Sequence, residues 1–102
     1  LGRIGKTAKD AIPALVEALR DPAEQVRMNA AGALGEIGPA AVPELVLALR
    51  DPNVGVRLAA AGILGGIGPA AQQAAPELRH LADSDPQLRP WIEQILRRIG
   101  AP

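Results

Sequence analysis

The chain has 102 residues, enough for one core, and 48% of them are hydrophobic, yet it holds one Trp and no Phe or Tyr. Its interior must therefore come from Leu, Ile, Val and Ala, which suits helices packed close together. Eleven basic and eleven acidic side chains cancel, and there is no Cys; a basic excess with aromatic platforms, disulfides and thiolate metal sites are all missing, so no nucleic-acid partner is expected. No run of about 18 uninterrupted apolar residues is present to suggest a membrane span.

Taken in order, the chain repeats itself. It opens with Leu1-Gly2-Arg3-Ile4-Gly5, and the same Leu-Gly-x-Ile-Gly returns at Leu34 and Leu64 and decays to Leu96-Arg97-Arg98-Ile99-Gly100. Leu19-Arg20-Asp21-Pro22 returns as Leu49-Arg50-Asp51-Pro52, then as Leu81-Ala82-Asp83-Ser84. A fixed period of this size marks a repeat architecture. The units read as 6–38, 39–68 and 69–100, with 1–5 as the stub of an earlier one. The spacing varies only between the closing Gly and the next Pro, which marks a loop.

Each unit divides into two helices. The first helices are expected at 11–19, 43–49 and 76–82, each with a Pro in the first turn where a missing N–H costs nothing; residues 40–42 can add a 3-10 turn. The second helix is expected to open with Asp21 as N-cap, Pro22 in the first position and Glu24 completing a capping box. Gly38 closes it as a left-handed C-cap, with Pro39 preventing continuation. Asp51 to Gly68 repeats this. In the third unit Asp83 and Asp85 are both candidate caps, and Pro90 falls where it would kink the first turn. The apolar positions Val26, Ala30, Ala33, Leu34 and Ile37 lie on one helical face. Val56, Ala60, Ile63, Leu64 and Ile67 match them, as do Leu88, Ile92, Ile95, Leu96 and Ile99.

With Asp-Pro-x-x-x-Val-Arg followed by Ala-Ala-x-x-Leu-Gly-x-Ile-Gly, clear in units one and two and partial in unit three, the chain resembles HEAT-like repeats, specifically the short bacterial kind of phycobilisome-lyase-type proteins. The resemblance implies an all-α fold: a right-handed α-solenoid of about three helical hairpins, an α/α superhelix whose second helices line a concave, partner-binding side. It also implies a ladder between neighbouring units, formed by Asp21, Asp51 and Asp83 with Arg27, Arg57 and Arg89.

Opposite the buried face of the second helices stand Met28, Gly32 and Gly35, then Leu58, Gly62 and Gly65, then Pro90, Gln94 and Arg97. A solvated face would favour charged residues, and a mid-helix Gly costs about 1 kcal/mol relative to Ala. Two readings stand side by side: an apolar strip receiving a partner's segment, or glycines that let neighbouring second helices crowd together. The single His80 has no second His or Cys with which to bind a metal. Trp91 is read as covering the open end of the stack, or as docking on a further unit. Arg97 and Arg98 complement their helix C-terminus. Thr7 and Ser84 are the only hydroxyl side chains, so no nucleophile–base pair, catalytic residue or cofactor is expected.

The function expected is a non-enzymatic protein-interaction scaffold with a protein partner, no metal and no membrane. One alternative is a subunit of a chromophore (bilin) lyase-type enzyme, as the resemblance implies. Another is an excised or engineered repeat fragment, whose uncovered ends would give weak end-to-end self-association.

Overall fold

The computed structural model describes residues 8–101, so the stub at 1–5 and Thr7 lie outside the described residues. Six α-helices follow one another: α1 (Ile12–Ala18), α2 (Glu24–Ile37), α3 (Val42–Ala48), α4 (Val54–Ile67), α5 (Ala75–Ser84) and α6 (Arg89–Arg98). They pair as hairpins, α1 with α2, α3 with α4 and α5 with α6, and among the described residues there is no strand. The fold is an all-α solenoid measuring 47 × 28 × 18 Å. Its smallest dimension is two helix layers, since packed helix axes lie about 8–10 Å apart.

The turns differ in detail from the sequence-based expectation. Asp21 and Asp51 do not cap the second helices directly. The Asp21 carboxylate accepts the Ala23 N–H at 2.8 Å, and Asp51 accepts that of Asn53 at 2.8 Å. These are Asx turns, which compete locally with helix formation and delay the helix start. Pro22 and Pro52 therefore sit in the turn, and the N-cap positions fall at Ala23 and Asn53. Only Asn53 caps with its side chain, accepting the Val56 N–H at 3.2 Å. In the third unit a 3-10 turn at Pro86–Leu88 precedes α6, and Pro90 stands in the first turn of that helix, where its missing N–H costs no helical bond.

At the other end, Gly38 and Gly68 close α2 and α4 with φ of 72° and 84°. Their ψ values of −131° and −146° place them beyond the left-handed helical well, in a region open only to glycine. Each is followed by a 3-10 segment, Gly38–Ala41 and Gly68–Ala74, leading into the next first helix. The longer one contains the extra residues of the third unit.

The core is entirely apolar: no polar or charged residue among those described is buried. Leu34, Leu45, Leu64, Leu78 and Ile92 are each fully buried, one from each of α2 to α6. Truncating such a leucine to Ala costs about 2–5 kcal/mol. The second helices stack directly, α2 on α4 and α4 on α6; α1 meets α3, while from the third unit it is chiefly the 3-10 segment ahead of α5 that reaches α3. One expected core residue is exposed: Val26 is 38% accessible, whereas its counterpart Val56 is fully covered. Ala33, Ile37, Ile67 and Leu88 are half-buried.

Candidate functional site

The second helices present three kinds of surface, and the contacts of their glycines sort them. A Cβ on Gly65 would lie 3.3 Å from Cγ1 and 3.4 Å from Cγ2 of Ile95, and one on Gly62 would lie 3.9 Å from Trp91. The stripe Leu88, Trp91, Ile95 therefore faces the preceding unit, and Ala61 and Gly65 face the following one. Trp91 accordingly lies back against α4 and does not cover the end of the stack. The remaining sector, turned away from both neighbours and from the first helix, carries Gln25, Met28, Gly32 and Glu36 in α2. In α4 it carries Gly55, Leu58 and Gly66, with Gly62 at its edge beside Trp91, and in the third unit Gln87 of the 3-10 turn and Pro90, Gln94 and Arg98 of α6.

This divides the proposed strip. Met28 is 59% exposed, Gly32, Gly62 and Gln94 are exposed, and Leu58 is half-buried. Gly65 is buried beneath Ile95, so at this register the glycine serves close helix approach. Arg97 lines a depression at the C-terminal end of the stack with Arg79, Asp83, Arg89 and Leu96. Gly35 is exposed, and a Cβ there would meet nothing within 4 Å. The α2–α4 seam is thus more open than the α4–α6 seam, where Trp91 stands at the position of Ala59. The centre of this sector is small and weakly apolar, with Met28, Gly32, Leu58 and Gly66, while Gln25, Gln87 and Gln94 are polar and Glu36 and Arg98 charged.

The ion pairs run differently from the expected ladder. Arg27 donates to the carbonyl oxygens of Asp21 and Pro22 at 2.7 and 2.9 Å, and Arg57 to those of Asp51 and Pro52 at 2.7 and 3.1 Å. Each stays within its own unit and fastens the turn. Arg89 reaches Asp83 of its own unit at 3.4 Å. The bonds that cross between units come from Arg20 and Arg50, at the ends of the first helices. Arg20 grips the Asp51 carboxylate with two nitrogens, at 2.8 and 2.6 Å, and also meets Glu17 at 3.1 Å. Arg50 grips Glu77 in the same two-pronged way, Nε to Oε2 at 2.9 Å. A planar fork matched to a carboxylate fixes orientation as well as charge.

These contacts set the titration of both acids. Arg20, then the Asn53 N–H, hold the Asp51 carboxyl below the usual carboxylate range. Arg50 does the same for Glu77, with a smaller share from His80. Arg20 is in turn raised by Asp51 and Glu17. The sequence carried a signal for Arg20 and Arg50, which recur one residue before the repeated Asp. For Glu77 the signal was the recurrence of Pro43-Glu44-Leu45 as Pro76-Glu77-Leu78, which marks the position but not its partner. Exposed His80 sits beside that pair, and among the described residues no three His, Cys, Asp or Glu side chains gather as a metal site would require.

A family model described as HEAT repeats matches the chain over residues 1–48 and again over 12–97. The match is to HEAT repeats in general and does not reach the lyase-type subgroup. A search of curated protein sequences gave no match.

Proposed function

This chain belongs to the HEAT-repeat family, and from that premise we propose that it is a non-catalytic interaction scaffold holding an apolar segment of a protein partner against its second helices. HEAT repeats commonly serve as protein-interaction scaffolds. The observation that carries the reading is Met28, 59% exposed on α2, in register with Leu58 on α4 and flanked by bare backbone at Gly32, Gly62 and Gly66. Where no side chain stands on a helix, a partner helix can approach closely and bury both apolar groups. A flexible Met adapts its shape to the segment it meets.

The test uses peptides selected on the intact chain from a displayed library of helical 20-residue sequences. The expected result is amide and methyl shifts at Met28, Gly32, Leu58 and Gly62 on titration, with binding lost in Met28→Lys and Leu58→Lys. Shifts confined to α1, α3 and α5, with both variants binding normally, would overturn the assignment.

A further inference from the structure

The two junctions between hairpins use the same parts in different arrangements. At the first, α1 packs on α3, and Arg20 secures the contact by gripping Asp51, the acid of the following turn. At the second, α5 scarcely touches α3, because the longer 3-10 segment Gly68–Ala74 lies against α3 instead. There Arg50 takes Glu77, in the first turn of α5, and leaves the acid of the turn alone. Exposure follows the difference: the Arg20 side chain is 36% exposed and that of Arg50 67%.

The acid corresponding to Asp51 is nonetheless in place. Asp85 precedes Pro86 as Asp51 precedes Pro52, and it is half-buried. Among the described residues no N–H donates to its carboxylate. Asp83, the other acid near this turn, is exposed, meets Arg89 of its own unit and lines the depression on the far side of the hairpin. Between the end of α3 and α5 lies a recess of about 740 Å³, with Leu49 and Arg50 from one hairpin and Glu77, Leu81 and Asp85 from the next. Arg57 of α4 also lines it but already donates to the carbonyls of Asp51 and Pro52, so it does not compete for Asp85.

We propose that the junction between the second and third hairpins has a second, closed arrangement, in which α5 swings onto the end of α3 and Arg50 passes from Glu77 to Asp85. The pivot is the α4–α6 seam, held in limiting contact where a Cβ on Gly65 would stand 3.3 Å from Ile95. Glu77 and Asp85 are separated by about 12 Å of helix rise, so Arg50 changes partner only if the third hairpin moves. One charge-assisted pair replaces another, which keeps the two arrangements close in energy. The first junction displays the pairing toward which the second closes.

The test reads the α3–α5 distance in the full chain, which has no cysteine of its own. Leu47→Cys on α3 and Asp83→Cys on α5 place spin labels at exposed positions outside the recess, for pulsed electron resonance. Glu77→Gln removes the partner of the open arrangement, and the shorter distance should gain population about fivefold, the scale of one surface ion pair. In the same variant the Arg50 side chain should keep the slow Nε–Cζ rotation of a paired guanidinium by NMR. Adding Asp85→Asn should undo the shift and free that rotation, with helical ellipticity equal to the parent's throughout. A distance distribution unmoved by Glu77→Gln, or a shift that survives Asp85→Asn, overturns the proposal.

Discussion

Gly35 and Gly65 occupy the same position in successive second helices, and replacing each by Ala separates helix propensity from packing between units. At position 35 the new methyl meets no atom within 4 Å. Only the propensity difference acts, and Gly35→Ala should stabilise by about 0.8–1 kcal/mol. At position 65 the same methyl would stand 3.3 and 3.4 Å from the two γ carbons of Ile95 and 3.7 Å from its Cβ. Ile95 is 3% exposed and β-branched, so it has neither space nor a second comfortable rotamer to retreat into. Overpacking of this kind costs about 1–3 kcal/mol, which cancels or outweighs the propensity gain. Gly65→Ala should therefore be neutral or destabilising by up to about 2 kcal/mol, with the two variants separated by about 1–3 kcal/mol. For a chain of this size each kcal/mol moves the thermal midpoint by about 4–8 °C, so calorimetry resolves the difference, and urea titration checks it independently. An Ile95→Ala background supplies the control: the clash disappears, and Gly65→Ala should then stabilise like Gly35→Ala. Equal stabilisation by the two single variants on the unmodified background would refute the argument that α4 and α6 are in limiting contact at this glycine.

Other expectations follow from the turns and the bonds between units. Asn53→Ala removes the only side-chain cap on a second helix and should cost about 1 kcal/mol, while Ala23→Asn should add a comparable cap to α2; urea unfolding reads both. Gly68→Ala forces a methyl into a backbone region reserved for glycine and should cost about 1–3 kcal/mol by the same assay. Asp51 and Glu77 titrate below their ordinary values in the folded chain. The stability they contribute is present above the unfolded carboxylate pKa values, near 4, and is lost as pH falls through their lower folded values. An Asp51→Asn, Glu77→Gln double variant should show a shallower loss of thermal midpoint between pH about 5 and 2 than the parent; parallel curves would show that the two bonds contribute nothing.

The repeat was legible because every unit must satisfy the same physical demands. Leu34, Leu64 and Leu96 recur where a second helix meets its own hairpin, and Gly38, Gly68 and Gly100 recur where the chain must adopt positive φ. Helix starts were less legible, because an Asp followed by Pro is compatible with both an N-cap and an Asx turn. The carbonyl contacts of Arg27 and Arg57, and the turn bonds of Asp21 and Asp51, decided for the turn. Val26 carried the apolar pattern of a core residue, but it is exposed where Val56 is covered, because burial at this position is decided by packing between units, which periodicity within a unit cannot report. The outward sector of the second helices was half legible. A helical wheel separates buried from outward positions, yet Gly62 and Gly65 lie one turn sector apart, and only the placement of Ile95 and Trp91 tells a surface glycine from a packing one.

The Asp51 carboxylate holds two roles in one group, and this bears on how the array loses its structure. With one oxygen it shapes the turn that launches α4; with both it receives Arg20 from the hairpin before. Fraying of the first hairpin therefore withdraws a bond from the turn of the second, and disorder in that turn releases Arg20. Neighbouring hairpins are coupled through a local backbone element as well as through shared apolar area, so α1 through α4 should open as one cooperative unit in native-state exchange. The third hairpin is tied through Glu77, a side chain on the helix itself that shapes no turn, and it is free to open below that threshold.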